Sequence, residues 1–302
     1  AWVPRRAGDR GALETGCLPG LLPGGRPAAD AQARVDVATT WGLESLPETA
    51  GRDADEIVAA AVAGELGGLV VGGVDPDDTA DPAAFRAALD AASFVVSLEL
   101  RETDVTRVAD VVFPVASVVD KAGTFVTWEG RPRWFDAVFT NPQALPDSRV
   151  LAGIAEELSS LGLGGPLGFR TVAEVRAQME ELGPWDGERA AHDPVLSTGS
   201  AGRDGVALAT WKQSIDHGSM QDGDDNLRAT ARPAVARVSQ AMYDALGSTV
   251  TVTGDRGSWT LPAEVADAPD GVIWVPSNNS GNGVLADLAS PGSRVTVKGA
   301  EQ

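Results

Sequence analysis

The sequence predicts an α/β fold with a doubly wound, mostly parallel sheet, followed by a small C-terminal β-barrel. Short apolar runs alternate with helical patterns over most of the chain, and short β-rich runs follow from about residue 200. Buried runs separated by helices are typical of parallel strands that are covered on both faces. Short strands joined by regular turns are typical of a barrel.

Three segments organise the chain: an irregular N-terminal arm (residues 1–30), an α/β domain (residues 31–199) and a barrel (residues 200–302). The arm is rich in glycine, proline and arginine and carries few apolar anchors, which favours irregular structure. The apolar periodicity changes from about 3.6 residues to about 2 residues near residue 200, which predicts the second boundary.

The α/β domain is predicted from helix caps and apolar runs. Asp53 begins a capping box with Glu56, and Asp81 before a proline begins the next helix. Helical spacing predicts two further helices over about residues 148–161 and 171–183. Three buried strands are predicted at residues 69–71, 94–98 and 111–113.

The C-terminal barrel is predicted from five β-rich runs and one hairpin turn. Residues 254–257 form the turn, and residues 233–246 are expected to add one helix. The five predicted strands cover residues 206–211, 249–253, 259–261, 272–275 and 294–298.

The composition excludes several classes of protein. The formal net charge is −19 and the pI is about 4.4, so the surface repels phosphate backbones and anionic lipids. No apolar run approaches the roughly 18 residues of a membrane helix, and the N-terminus lacks the apolar stretch of a signal peptide. We therefore expect no nucleic-acid partner and no membrane insertion. The absence of an initiating methionine leaves both a fragment and a natural short form open.

The residues that commonly carry catalysis or bind metals are few. Cys17 is the single cysteine, so neither an intrachain disulfide nor a cysteine-ligated cluster can form, and cytoplasm is the simplest compartment. His192 and His217 lie in loop-like contexts, and no catalytic motif surrounds them. The acidic loop at residues 222–226 lacks the downstream glutamate of a calcium loop. We predict no catalytic residue and no metal site.

One constellation has the form of a ligand-binding loop. Gly73, Asp75 and Pro76 follow a predicted strand, and Glu99 ends the next one. Doubly wound sheets bind nucleotides at the carboxyl ends of their strands. A tight structural turn explains the same residues, and this alternative stays open.

Two neighbouring stretches, residues 103–114 and 120–131, resemble the molybdopterin oxidoreductase superfamily. That superfamily has a pattern close to T-E-T-A-x-x-A-D-V-V-L-P, then E-K-x-G-T-F-x-N-x-E-G-R. The turn at Gly73 resembles its G-x-N-P nucleotide loop, with Asp75 in place of asparagine. The chain departs from the longer pattern at Asp104, Val105, Phe113, Asp120 and Thr127.

Within the superfamily, the chain looks most like the C-terminal part of the large iron–sulfur subunits of bacterial NADH:quinone oxidoreductase. Residues 11–16 and 21–27 are similar to an extended segment of those subunits, and Trp128 before E-G-R is a further similarity. The resemblance implies that the iron–sulfur clusters lie in an N-terminal part outside this chain. It also implies a pterin-type domain that holds no molybdenum cofactor.

We therefore expect an empty, vestigial cleft and no cofactor in this chain. Its candidate residues are Gly73, Asp75, Pro76, Glu99, Lys121 and Arg131. A cofactor with several phosphates calls for many cations, whereas the chain has only three lysines. Lys121 and Arg131 are instead expected to pair with Glu129 or Asp110.

The loop from residue 123 to residue 131 is predicted to be a structural clasp that joins the sheet to the segment leading toward the barrel. In this prediction Phe125 and Trp128 are buried against the domain, so that Trp128→Ala costs about 3 kcal/mol. The alternative is that Lys121 and Arg131 line a ligand cleft.

Three functions are compatible with these features. The resemblance favours a non-catalytic module of a respiratory complex that contacts other peripheral-arm subunits and lies at the cytoplasmic face of the plasma membrane. The first alternative is the C-terminal half of a molybdenum or tungsten enzyme such as a formate dehydrogenase or nitrate reductase. The second alternative is a free-standing nucleotide-binding protein. An upstream metal-ligating residue would distinguish the enzyme, and such a residue lies outside this sequence.

Overall fold

The computed structural model describes residues 8–139, 143–190, 205–216, 218, 221, 223–279 and 282–300. The chain divides into two compact units. The first comprises Ala1–Gly73 and Ala91–Asp193, and the second comprises Val74–Asp90 and Pro194–Gln302. None of the helices in the described residues combines the length and the apolar character needed to cross a membrane.

The N-terminal segment is more regular than its glycine and proline content predicts. Helix α1 spans Asp9–Thr15 and ends at Gly16, whose left-handed backbone lets its N–H cap the last turn. Strands β1 (Leu21–Leu22) and β2 (Arg26–Pro27) then pair antiparallel. These elements are too short for their apolar residues to show a recognisable periodicity in the sequence.

Two helices precede the parallel sheet, α2 (Ala31–Trp41) and α3 (Ala54–Val62). The predicted capping box is confirmed, because Asp53 accepts from the Glu56 N–H and the Glu56 side chain accepts from the Asp53 N–H. These two backbone N–H groups have no acceptor within the helix, and the two side chains provide one for each.

The three predicted buried strands form one parallel sheet. They are β3 (Leu69–Gly72), β4 (Val95–Glu99) and β5 (Val111–Pro114), and their order in the sheet follows their order in the chain. One face of β4 packs against helix α6 (Asp147–Ser160), through Leu98 against Val150. The connection between β4 and β5 contains helix α5 (Asp104–Val108).

The expectation that both faces of this sheet are covered is wrong for its edge strands. Val70 is 61% exposed and Val112 is 42% exposed. Their partners on β4, Val96 and Ser97, point to opposite faces. Each edge strand therefore leaves part of a different face exposed.

An antiparallel hairpin and two helices follow the sheet. The hairpin consists of β6 (Gly123–Val126) and β7 (Pro132–Phe135). Helix α6 and helix α7 (Val172–Leu182) confirm the two predicted helices. The capping box of α7 joins Thr171 to Glu174, as the sequence predicts.

The second unit contains a closed barrel, which confirms the β-barrel predicted for the C-terminal part of the chain. The strand order around the barrel is β10-β11-β9-β12-β8-β15. Inward side chains such as Val250, Val252 and Ile273 are completely buried and form its core. The six strands are β8 (Val206–Trp211), β9 (Ala236–Val238), β10 (Thr249–Thr253), β11 (Ser258–Val265), β12 (Val272–Pro276) and β15 (Arg294–Gly299).

Short elements complete the second unit. The predicted helix at 233–246 occupies only the second half of that range, as α9. The segment before the sheet's second strand also belongs to this unit: the Arg256 guanidinium donates to the Ala80 carbonyl at 3.1 Å. The remaining elements are α4 (Pro82–Ala91), α8 (Asp225–Arg228), α9 (Gln240–Leu246), α10 (Val284–Asp287), β13 (Asn278–Asn279) and β14 (Asn282–Gly283).

Candidate functional site

The six candidate cleft residues are divided between the two compact units. Gly73, Glu99, Lys121 and Arg131 lie in the first unit, and Asp75 with Pro76 lies in the second.

Gly73 makes a tight turn at the end of β3. Its φ of +63° lies in the left-handed region that favours glycine. Its N–H donates to the Leu98 carbonyl at 3.2 Å, so the turn is tied to the neighbouring strand. The structure gives this glycine a local conformational role.

Asp75 and Pro76 begin a single 3-10 turn, Pro76–Asp78. The Asp75 carboxylate accepts from the Asp77 N–H at 3.0 Å, and Pro76 is buried at the first position of the turn. Asp77 in turn pairs with Arg86 at 2.7 Å. The Asp75 carboxylate thus works as a local cap, which a short polar side chain does well.

Glu99 is half-buried at the carboxyl end of β4. Its carboxylate accepts from the Leu100 N–H at 3.2 Å, and its backbone carbonyl accepts from the Val115 N–H at 3.0 Å. Both contacts hold the chain where it leaves the sheet.

The two candidate cations are each paired with a carboxylate. Arg131 lies 3.1 Å from Glu129, as predicted. Lys121 pairs with Asp147 at the start of α6, at 2.5 Å, and not with Glu129 or Asp110. Asp110 accepts from the Val95 N–H at 2.7 Å instead. Asp147 lies 26 residues from Lys121, so no local pattern could indicate this pair.

The predicted burial of the hairpin aromatics is wrong. Phe125 is 61% exposed and Trp128 is 70% exposed. Phe125 stacks on Phe135 across the hairpin, with ring centroids 4.8 Å apart. A two-stranded hairpin offers no second layer of structure that could enclose these rings.

Arg176 on α7 fixes the base of the hairpin in place of those aromatics. Its guanidinium donates to the Gly123 carbonyl at 2.7 Å and to the Phe135 carbonyl at 3.1 Å, and it lies over the Trp134 ring. A side chain at Gly123 would come within 2.5 Å of the Phe135 ring. Sequence reasoning missed Arg176 because its partners lie 41 and 53 residues away.

Arg26 is a second structural arginine that sequence reasoning missed. It is only 2% exposed, and its guanidinium donates to the Pro23, Leu182 and Gly183 carbonyls at 2.9–3.2 Å. It also lies 5.4 Å from the Trp185 ring centroid. The only available signal was an arginine in a segment of glycine, proline and leucine.

The remaining candidates carry no site in the described residues. Cys17 is exposed, and its thiol lies 3.3 Å from the Thr15 hydroxyl. Asp224 caps helix α8 by accepting from the Leu227 N–H at 2.8 Å. No cluster of potential metal ligands occurs in the part of the chain that the structure describes. His192 and His217 lie outside the described residues.

The pKa of one carboxylate, that of Glu174, is shifted. Three donors, first the Arg170 N–H and then the N–H and hydroxyl of Thr171, lower the pKa of Glu174 below its ordinary value of 4.5. Hydrogen bonds to the ionised form favour that form. This carboxylate belongs to the capping box of α7, so its acidity serves helix stability.

Comparison with solved structures defines the class of the fold. The chain matches acetylene hydratase from Pelobacter acetylenicus with a TM-score of 0.51 at 15% identity. The match covers 88% of this chain and 45% of that structure. The chain therefore shares the fold of the matched part of that structure. No protein-family profile matches it.

Comparison of sequences gives the family. The chain is 48% identical to the G subunit of the NADH-quinone oxidoreductase of Mycobacterium tuberculosis and 45% identical to that of Streptomyces coelicolor, over 98% of its length in both cases. Over nearly all of its length, the chain corresponds to the C-terminal part of the G subunits of NADH-quinone oxidoreductases. The chain spans 37% of the first relative and 36% of the second. More distantly, it is 29% identical to formate dehydrogenase H of Escherichia coli, over 58% of this chain and 24% of that protein.

Proposed function

We propose that this segment is a non-catalytic structural module of the large subunit of an NADH:quinone oxidoreductase. In this role it supports electron transfer from NADH to quinone by holding other peripheral-arm subunits in place. The iron–sulfur clusters lie in the part of the large subunit that this chain does not span. The assembly is peripheral at the cytoplasmic face of the plasma membrane.

The pairing of the candidate cations carries this proposal. A molybdenum-bearing pterin dinucleotide needs cations to neutralise its phosphates. Lys121 and Arg131 are each engaged by a carboxylate of this chain, Asp147 and Glu129. The carboxylate of Asp75 adds negative charge to the loop that would approach a phosphate. These residues fit such a cofactor poorly.

The contacts of two arginines support the same conclusion. Buried Arg26 and half-buried Arg176 each donate to two or more backbone carbonyls of the same unit. Each joins segments that are distant in the chain, as expected of residues that maintain a scaffold. Their planar, always-charged side chains suit several fixed acceptors at once.

We also propose that the parallel sheet of this chain is part of a larger doubly wound sheet. The three parallel strands in this chain run in sequential order and contain no reversal. Doubly wound sheets need strands on both sides of a reversal point. We expect the rest of the large subunit to contribute those strands.

Metal analysis of the purified complex tests the proposal. We expect iron in stoichiometric amount without molybdenum or tungsten, and no guanine nucleotide released by heat denaturation. Lys121→Ala and Arg131→Ala should each leave electron transfer per assembled complex unchanged. Loss of turnover in a fully assembled Lys121→Ala complex would contradict a structural role for this region.

The alternative is the C-terminal half of a molybdenum or tungsten oxidoreductase. Its support is the similarity to formate dehydrogenase H and the fold shared with acetylene hydratase. This alternative predicts stoichiometric molybdenum or tungsten in the purified protein, which the same metal analysis measures.

A further inference from the structure

A groove on the outer surface of the barrel unit is not used by the function proposed above. Its volume is about 670 Å³. It is lined by residues from the end of β8 and the segment after it, including Trp211, Lys212 and Ile215, and from the segment before β9, including Arg232 and Val235. All of these residues lie in the second unit. The groove is thus lined by both apolar and cationic side chains.

The charge of this groove is opposite to that of the whole chain. Lys212, Arg232 and Arg237 line it, with Glu264 as the only acid among its lining residues. Within the described part of the chain, no ion pair within 4 Å engages any of these three cations, whereas many other arginines are paired. In a chain of net charge −19, three uncommitted cations create a local positive potential that attracts anionic groups.

The placement of Arg237 is the most informative detail. Glu264 is its direct partner across the parallel pair of β9 and β11. The Arg237 guanidinium nevertheless lies over the Trp211 ring, 4.6 Å from the ring centroid. A guanidinium stacked on an aromatic face keeps its N–H edges available to acceptors in its plane. The arrangement presents donors to an external carboxylate.

The groove also contains a covered acceptor without a donor. The Gln213 side-chain oxygen is shielded from solvent and has no hydrogen-bond partner among the residues that the structure describes, while the amide nitrogen reaches the Arg232 carbonyl at 3.4 Å. An unpaired acceptor of this kind costs free energy until a donor reaches it. Simple anions have no donor to offer, whereas a peptide offers backbone N–H groups as well as carboxylates.

We infer that this groove docks an acidic peptide segment of a partner subunit, with an apolar side chain between Trp211 and Val235 and carboxylates on the three cations. The inference rests on the proposed function as an assembly module. The groove is open to solvent, whereas sites for small molecules enclose most of their ligand. Tryptophan and arginine are the residues that most often dominate the energy of protein interfaces.

Site-specific photo-cross-linking in the purified complex tests the inference. The photo-reactive residue benzoylphenylalanine replaces the exposed Thr230 at the groove wall, and mass spectrometry maps the cross-linked peptide. We expect an acidic segment of another subunit. The inference is overturned by a cross-link to a neutral or basic segment, to the same polypeptide or to a small molecule, and equally by no cross-link in a complex that contains the large subunit.

Charge reversal supplies the matched controls. Lys212→Glu should lower the cross-link yield at least about ten-fold, because it opposes the carboxylates of the partner. Lys298→Glu makes the same charge change on β15 outside the groove and should change the yield less than about two-fold. Equal losses in both variants would overturn the inference. Melting temperatures of both variants exclude misfolding as the cause. Absence of the large subunit from the purified complex would instead contradict the proposed function.

Discussion

At the scale of single residues, the arginines separate into two groups. Arg26 is buried and Arg176 is half-buried, and both donate to carbonyls of distant segments. Arg131 is 65% exposed and has one carboxylate partner. Exposed single pairs contribute little to stability, whereas hydrogen bonds from a shielded charged group contribute more. The difference in burial predicts which substitutions matter.

Arg26→Ala should lower the free energy of unfolding by about 2–4 kcal/mol, because three backbone carbonyls lose a charged donor. Arg131→Ala is the matched control and should cost less than about 1 kcal/mol. Urea unfolding followed by tryptophan fluorescence measures both. Equal costs for the two variants would show that burial does not distinguish these arginines.

At the scale of elements, the sequence predicted what local patterns encode. The strands at Leu69–Gly72, Val95–Glu99 and Val111–Pro114 follow from apolar runs, and the caps at Asp53 and Thr171 follow from residues three apart. The anchoring of the β6–β7 hairpin could not be predicted, because it depends on contacts made by a helix far along the chain. The aromatic residues of that hairpin suggested that Phe125 and Trp128 are buried, whereas both are exposed.

The exposure of the hairpin leads to a direct comparison of two tryptophans. Trp128 is 70% exposed, and Trp259 on β11 is 5% exposed. Trp128→Ala should cost less than about 1 kcal/mol, and Trp259→Ala about 3–5 kcal/mol, since only the second removes a buried ring. Thermal unfolding of the 302-residue chain measures both. A large loss for Trp128→Ala would restore the buried clasp that the sequence predicted.

The capping box of α7 predicts a pH dependence. The pKa of Glu174 is lowered by the N–H groups of Arg170 and Thr171, so the ionised carboxylate stabilises the folded state above pH 4.5 and loses this effect as the pH falls through its lowered pKa. Glu174→Gln should therefore lower the melting temperature at pH 6.5 more than at pH 3.5. Glu180→Gln on the same helix is the control for the loss of one negative charge. A Glu174→Gln effect independent of pH would exclude this role.

At the scale of the whole molecule, the two architectures were predictable but the barrel's closure was not. The change of periodicity near residue 200 indicated short strands. It could not indicate that β9, only three residues long, lies between β11 and β12 and pairs parallel to β11. The order of strands in a barrel depends on which apolar faces pack together in the common core. All such strands show the same two-residue alternation of apolar and polar residues, so the alternation does not reveal their order.

The net charge of −19 gives the last prediction. Long-range repulsion among like charges destabilises a compact chain, while the surface ion pairs contribute about 0–1 kcal/mol each. Salt shortens the Debye length from about 30 Å at 0.01 M to about 8 Å at 0.15 M, so it screens distant repulsion more than contacts near 3 Å. Raising NaCl over this range at pH 7 should therefore raise the melting temperature. The control is the same series near pH 4.4, the pI, where repulsion is minimal and the effect should largely vanish. A fall in melting temperature with salt at pH 7 would mean that the ion pairs outweigh the repulsion.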